Sequence, residues 1–308
     1  MEGMLLVSPS PHLRARDDIN RIMWSVACAL APAVAISIYF FGSGALWVYA
    51  ISIGAAELTE LVCLKMRGCP LGRAADGSAL VTGLLLAMVL PAGCAWYCPL
   101  VGAVFAIALV KHAFGGLGHN IWNPALAARV FLQFAYAKQI SLSEWVVPHK
   151  LWGPAVDAVS RATPLATEQV ARGYHYLDLL FGNGVPGSLG ETCKVALLVG
   201  GIYLIVRRIV DWRIPVFYIG TVFALTYLLP AGKEPAAWAR DPLYHVLSGG
   251  LIIGAFFMAT DIVTTPITRL GRIIFAVGCG ILVSIIPVSY THLRAHETSL
   301  HLVCRLLL

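Results

Sequence analysis

The chain offers few groups that can do chemistry, and most of those lie inside or beside apolar runs. Thr163 stands in AVDAVSRATPLATE (155–168), an Asp-x-x-Ser-x-Ala-Thr stretch with Ser160 and Arg161 just upstream and Pro164 next. Small neighbours leave the hydroxyl open to an incoming enzyme, and the proline disfavours helix at Thr163. A threonine hydroxyl is a weak nucleophile without an adjacent base or metal, and no local residue supplies one. The segment therefore reads as a substrate of modification rather than a catalyst. Glu57 and Glu60 fall three residues apart, on one face of a helical span. Carboxylates at membrane depth are costly and mark ion paths; the alternative for Glu60 is a reach to the interface near Lys65. Asn120 and Asn123 lie in GGLGHNIWNPALAAR (115–129), ahead of Pro124. They read either as a cofactor-lining break or as a capping turn with Asn123 as the cap. Arg129 falls inside the following span and needs a partner or water there. Asp261, with Thr260, Thr264 and Thr265, forms an oxygen-rich turn that can ligate a hard cation such as sodium or simply end a helix. His112 and His119 read as interfacial groups.

These groups must be positioned by membrane helices. Of 308 residues, 58% are hydrophobic and only 12% charged, well below the one-quarter charged fraction of soluble domains. The net charge of +6 sits in short gaps between apolar runs, the pattern of orientation signals rather than of a nucleic-acid surface. An all-α polytopic bundle with about nine spans is expected: 22–41, 45–65, 78–91, 96–111, 124–137, 189–206, 214–230, 243–259 and 272–288. The spans at 78–91 and 124–137 are short enough to suggest broken helices lining a buried site. Arg14, Arg16, Arg21, Lys65, Arg67, Arg73, Lys111, Arg207, Arg208, Arg213, Arg269 and Arg272 fall on one side if the spans alternate. That places the N-terminal segment 1–21 in the cytoplasm and the connection 138–188 outside. TGLLLAMVLP (82–91) resembles GGLIIGAFFM (249–258), which fits either two inverted five-helix halves or a chance match. A complete second half needs a tenth helix. The eight cysteines form no CxxC pair and read as buried thiols, with Cys94 and Cys98 able to pair across a turn. The stretch 289–308 changes character abruptly and is expected to be a non-native tail; His292 and His296, at i,i+4 spacing, are not read as a metal site.

Taken with SPSPHLRARDDINRIM (8–23), DGSALVTGLLLAMVLP (76–91), GSLGET (187–192) and SGGLIIGAFFMATDIVTTP (248–266), these motifs resemble the D subunits of the Rnf ion-translocating electron transport complexes. They are similar, less closely, to the B subunits of the sodium-translocating NADH:quinone oxidoreductases, the other branch of the NqrB/RnfD family. The resemblance runs from about residue 8 to about residue 287, in family order. It implies an inner-membrane subunit that carries electrons through FMN and couples ferredoxin and NAD chemistry to Na+ or H+ movement. FMN would be joined through its phosphate to Thr163 by a separate magnesium-dependent flavin transferase. The family's second, non-covalent flavin (riboflavin) would be the occupant of the Asn120–Asn123–Arg129 region. Other Rnf subunits (A, B, C, E and G) and membrane lipid are the implied partners. The family usually has glycine where this chain has Arg161; an arginine there can pair with the flavin phosphate. The competing expectation is a secondary transporter or channel without a redox cofactor.

Overall fold

The computed structural model describes residues 18–140, 145–146, 148, 160–161, 175–228 and 241–290. The described residues are helical almost throughout. Helix α1 (Ile19–Phe41) and helix α2 (Ser43–Met66) each exceed the roughly 20 residues needed to cross a hydrocarbon core. They form an antiparallel hairpin on Gly42, whose φ of 63° is a left-handed conformation that costs glycine little. Its N–H caps α1 at the Ile38 carbonyl, 2.8 Å away.

The elements that follow are shorter. A 3₁₀ turn (Leu71–Asp76) leads into α3 (Ser78–Met88), whose start is fixed by Asp76: its Oδ1 accepts from the Ser78 N–H and hydroxyl at 2.8 and 2.6 Å. Helix α4 (Tyr97–Val104) continues as a π-helical segment (Phe105–His112), and α5 spans Pro124–Ala135. At 1.5 Å per residue, the 11 residues of α3 and the 12 of α5 rise about 17–18 Å, too little to cross a ~30 Å core as straight spans. Helix α6 (Ala137–Ile140) precedes two short strands, β1 (Trp145–Val146) and β2 (Ser160–Arg161). They pair antiparallel, Trp145 opposite Arg161 and Val146 opposite Ser160. Helix α7 (Tyr176–Phe181) and a 3₁₀ turn (Leu189–Glu191) return the chain to the bundle.

Helix α8 (Lys194–Val206) and helix α9 (Arg213–Leu228) are continuous. The run expected at 243–259 is instead split into α10 (Pro242–Ser248), α11 (Leu251–Ile253) and a π segment (Gly254–Met258). Its first break falls at Gly249 and Gly250, between Ser248 and Leu251. Helix α12 covers Arg269–Tyr290.

Packing is close because small residues face one another. A Cβ at Gly83 would lie 2.9 Å from the Ile53 Cα, so glycine lets α3 lie against the backbone of α2; a Cβ at Gly200 would lie 2.1 Å from the Ala29 carbonyl oxygen, so α8 rests on α1. The core is lined by Leu30, Leu86, Met88, Ala103, Leu132 and Tyr218, all fully buried. The most extensive contacts are α9 on α12, α2 on α3, α1 on α8, and α2 on α4. The long connection at 138–188 falls mostly outside the described residues, as do the tail after Tyr290 and the segment before Asp18.

Candidate functional site

The motifs at 115–129 and 248–266 meet at one end of the bundle. Gly115, Gly116 and Gly118 take φ of 127°, 96° and 91°, conformations L side chains rarely adopt, and they turn the chain between α4 and α5. Asn123 caps α5, in line with the capping alternative: its Oδ1 accepts from Ala125 and Leu126 N–H groups at 3.0 and 3.4 Å, with Pro124 at the first helical position. Its amide also donates to the Met258 carbonyl at 3.4 Å, so one side chain caps α5 and ties it to the π segment. Asn120 donates to the Trp122 carbonyl at 3.1 Å.

Asn120 and Asn123 line a small, partly open cavity of about 80 Å³, whose walls include Val81, Leu85, Phe256 and Phe257. Ser78, Lys111, Thr260 and Asp261 also reach it. Asp261 sits in a turn in which its side chain accepts from Thr264 at 3.4 Å and its carbonyl from the Thr265 hydroxyl at 2.6 Å. Burial holds this carboxyl above the ordinary carboxylate value, against the backbone N–H of Val263 and the Thr264 hydroxyl, which lower it. Mostly apolar walls with a few convergent amide and hydroxyl groups are the chemistry of a small-molecule site.

Behind one wall lies a buried ionic chain. Glu60 is 3% exposed and its Oε2 accepts from Lys111 Nζ at 2.7 Å and lies 2.9 Å from His112 Nε2. Lys111 also donates to Ser78 Oγ at 2.6 Å, and His112 Nδ1 lies 3.3 Å from an Arg67 guanidinium nitrogen. Three expectations are corrected here. Glu60 reaches Lys111 and His112 rather than Lys65, and His112 is buried rather than interfacial. Lys111 likewise is no loop charge: at 2% exposure it is drawn into the bundle by its ion pair. Glu57, one turn before Glu60, stays half-buried and feels the charges of Glu60 and Lys111.

Arg129 does not join the Asn120–Asn123 cavity. It is 1% exposed on α5, six residues beyond Asn123, and feels the charge of Glu191 and the thiols of Cys94 and Cys98. Close by, Lys194 is equally buried and donates to the Glu191 carbonyl. Neither Lys194 nor the glutamine one turn beyond Arg129, Gln133, was signalled by the sequence. Lys194 was hidden because the run 189–206 reads as one apolar span. Cys94 and Cys98 are free thiols. Ser160 and Arg161 are placed only as a backbone ladder with Trp145 and Val146, and Thr163 lies outside the described residues.

The family model for NQR2, RnfD and RnfE matches residues 6–293. The chain is 43% identical over 286 residues to the D subunit of the Na(+)-translocating ferredoxin:NAD(+) oxidoreductase complex of Acetobacterium woodii, covering 92% of this chain and 85% of that protein. It is 41% identical over 295 residues to the D subunit of the proton-translocating ferredoxin:NAD(+) oxidoreductase complex of Clostridium ljungdahlii, covering 92% and 87%. The D subunit of the ion-translocating oxidoreductase complex of Stutzerimonas stutzeri is 38% identical over 299 residues, covering 88% and 83%. With nearly the whole length matched and the family's segments converging on shared cavity walls, the chain belongs to the NQR2, RnfD, RnfE family.

Proposed function

We propose that this chain is the D subunit of a membrane-bound ferredoxin:NAD oxidoreductase complex, in which it passes electrons through FMN esterified to Thr163 while the complex moves Na+ or H+. The observation that carries the reading is the convergence of 115–129 and 248–266, joined by the Asn123–Met258 hydrogen bond, on one cavity. Two segments far apart in sequence are held there by half-length helices, the arrangement membrane proteins use around buried ligands. Its Asn120 and Asn123 amides and its Phe256 and Phe257 walls suit the second, non-covalent flavin. Flavins exchange one or two electrons, and the protein's part is to place and tune them. The finer reading has nine passages, the N-terminus in the cytoplasm of a bacterial cell, residues 138–188 outside, and two inverted halves. The other Rnf subunits (A, B, C, E and G) are its partners, and a flavin transferase matures it.

The test is covalent mass. Chain co-expressed with a flavin transferase gains the mass of one esterified FMN and keeps in-gel flavin fluorescence after denaturation; Thr163→Val loses both. Bare polypeptide mass in the unsubstituted chain would sink the electron-carrier reading and leave the transporter reading, which the broken helices and the buried Glu60–Lys111 pair also suit.

A further inference from the structure

The end of α8 and the starts of α9 and α12 surround a second pocket, of about 460 Å³, which shares Thr260 and Ile262 with the Asn120–Asn123 cavity. Its charged lining is three arginines, Arg208, Arg213 and Arg272, against one carboxylate, Asp211. Asp211 already accepts from Arg272 Nη1 at 2.6 Å and from Arg213 Nη1 at 2.9 Å, and Arg272 Nε donates to the Pro266 carbonyl at 3.0 Å. Nη2 of both groups and the whole side chain of Arg208 make no hydrogen bond among the described residues. The backbone at Arg208 adds a second observation. Arg208 has φ 58° and is the one non-glycine residue at positive φ among the described residues. Its N–H returns to the Ile205 carbonyl at 2.9 Å and the Ile209 N–H to the Leu204 carbonyl at 3.0 Å, the helix-ending turn in which glycine is favoured. A side chain there is strained, so the turn itself gains nothing from an arginine, and strain of this kind collects at functional sites.

A ligand for this pocket is an anion rich in acceptors, and forked guanidinium groups match phosphate oxygens. The rest of the lining says which phosphate. Trp212 is exposed and lies 5.3 Å from the Arg213 guanidinium in a cation–π contact, the chemistry of a tryptophan at headgroup level. Ile262 and Ile267 line the same pocket and are also exposed, so free guanidinium donors and open apolar side chains share one concavity at the ends of membrane helices. A soluble phosphate ester uses only the donors; an amphiphile uses both. We propose that this pocket holds the phosphate headgroup of an anionic membrane lipid, with Arg208, Arg213 and Arg272 around the phosphate and Ile262 and Ile267 along the start of its acyl chains. The proposal stands apart from the flavin reading and needs neither Thr163 nor an occupant of the Asn120–Asn123 cavity.

The experiment uses the full chain in a neutral detergent and measures dissociation constants for phosphatidylglycerol, for phosphatidylcholine with the same acyl chains, and for glycerol phosphate as the headgroup alone. Phosphatidylglycerol is expected to bind roughly tenfold tighter than either of the others. Arg208→Gly is expected to weaken phosphatidylglycerol about fivefold, the share of one arginine near anionic lipid, and to leave phosphatidylcholine unchanged. Its unfolding temperature without lipid stays equal or rises, because glycine relieves the left-handed turn. Arg208→Asn, which also tolerates that turn, decides the matter if the glycine variant fails to fold. Arg207→Gln removes the same charge from the adjacent arginine, which lies over the Tyr203 ring at 5.9 Å and is not part of the pocket lining; it is expected to keep phosphatidylglycerol affinity within roughly twofold. Equal affinity for the two lipids, or equal losses in Arg207→Gln and Arg208→Gly, overturns the proposal in favour of diffuse surface charge. Glycerol phosphate binding as tightly as phosphatidylglycerol overturns it in favour of a soluble phosphate ester. No binding of phosphatidylglycerol overturns it as well, and the pocket then belongs to an acidic protein segment.

Discussion

Lys111 shows how a single side chain changes meaning once its partner is known. In the chain it follows a long apolar run and looks like a loop charge; in the fold it donates to Glu60 and Ser78 at 2.7 and 2.6 Å with water excluded. Breaking such a pair by deleting one partner leaves an uncompensated buried charge, at about 3–5 kcal/mol, whereas removing both charges together is far milder. Lys111→Met is therefore expected to lower the thermal unfolding temperature of the detergent-solubilised protein strongly, and the Glu60→Gln, Lys111→Met double variant to recover most of the loss. Equal losses in the single and double variants would show that the pair contributes nothing beyond its volume. Glu60 was legible as a carboxylate where none belongs. Its partners were not, because Lys111 and His112 lie about fifty residues away and only packing of α2 against the π segment brings them in. Asn123 was legible as a cap because a side-chain amide before proline announces itself locally; its bond to Met258 did not.

At the scale of elements, glycines decide which helices can touch. A Cβ at Gly200 meets the Ala29 carbonyl, whereas one at Gly220 meets nothing within 4 Å. Gly200→Ala is expected to destabilise by about 1–3 kcal/mol through overpacking, and Gly220→Ala to be neutral or stabilising by up to about 1 kcal/mol through helix propensity; urea or thermal unfolding monitored by circular dichroism tells them apart. Similar losses at both positions would mean that the α1–α8 approach is not what Gly200 serves. A second device ties the connection 207–213 to the start of α12. Asp211 accepts from Arg272 at 2.6 Å and from Arg213 at 2.9 Å. Burial alone would raise its carboxyl, but the Arg213 N–H and the two guanidinium groups outweigh that and hold it below the ordinary carboxylate value. A carboxyl depressed in the folded state contributes stability that is complete above its unfolded value, about pH 4, and fades as pH falls through the lower folded one. The stability difference between the unsubstituted chain and Asp211→Asn should thus be constant from pH 8 to pH 5 and shrink only below about pH 4; a difference that shrinks already between pH 7 and pH 5 would assign the effect to another group. Element positions were legible from apolar run length. The breaks at Gly249–Gly250 and Thr192–Cys193 were not, because hydropathy averages over a run and does not see where its hydrogen-bond ladder stops.

For the molecule as a whole, packing and charge can be weighed against each other. Helix α2 packs on α3 and α4, helix α9 packs on α10 and α12, and α1 lies against α8, a pairing that the proposed inverted halves would produce. Such halves make an orientation testable, since equivalent loops then face opposite sides of the membrane. Lys111 drops out of the charge pattern because it is buried and paired. Asp211 also offsets part of the charge of Arg213 and Arg272. What remains, Lys65, Arg67, Arg73, Arg207, Arg208 and Arg269, still gathers at the end that holds the Asn120–Asn123 cavity, while the turn around Cys94 has no lysine or arginine between residues 92 and 95. The charge asymmetry therefore survives the correction, and by the positive-inside rule it supports the proposed orientation with that cavity toward the cytoplasm. Reporter fusions read this directly. Alkaline phosphatase joined after residue 150 is expected to be active and the same enzyme after residue 210 inactive, with a fluorescent protein that folds only in the cytoplasm giving the reverse. Activity of the phosphatase after residue 210 alone would invert the molecule, place Thr163 inside the cell and set the two candidate flavin sites on sides opposite to those proposed. Activity of neither fusion would mean that the segment 189–206, with α8, does not carry the chain across.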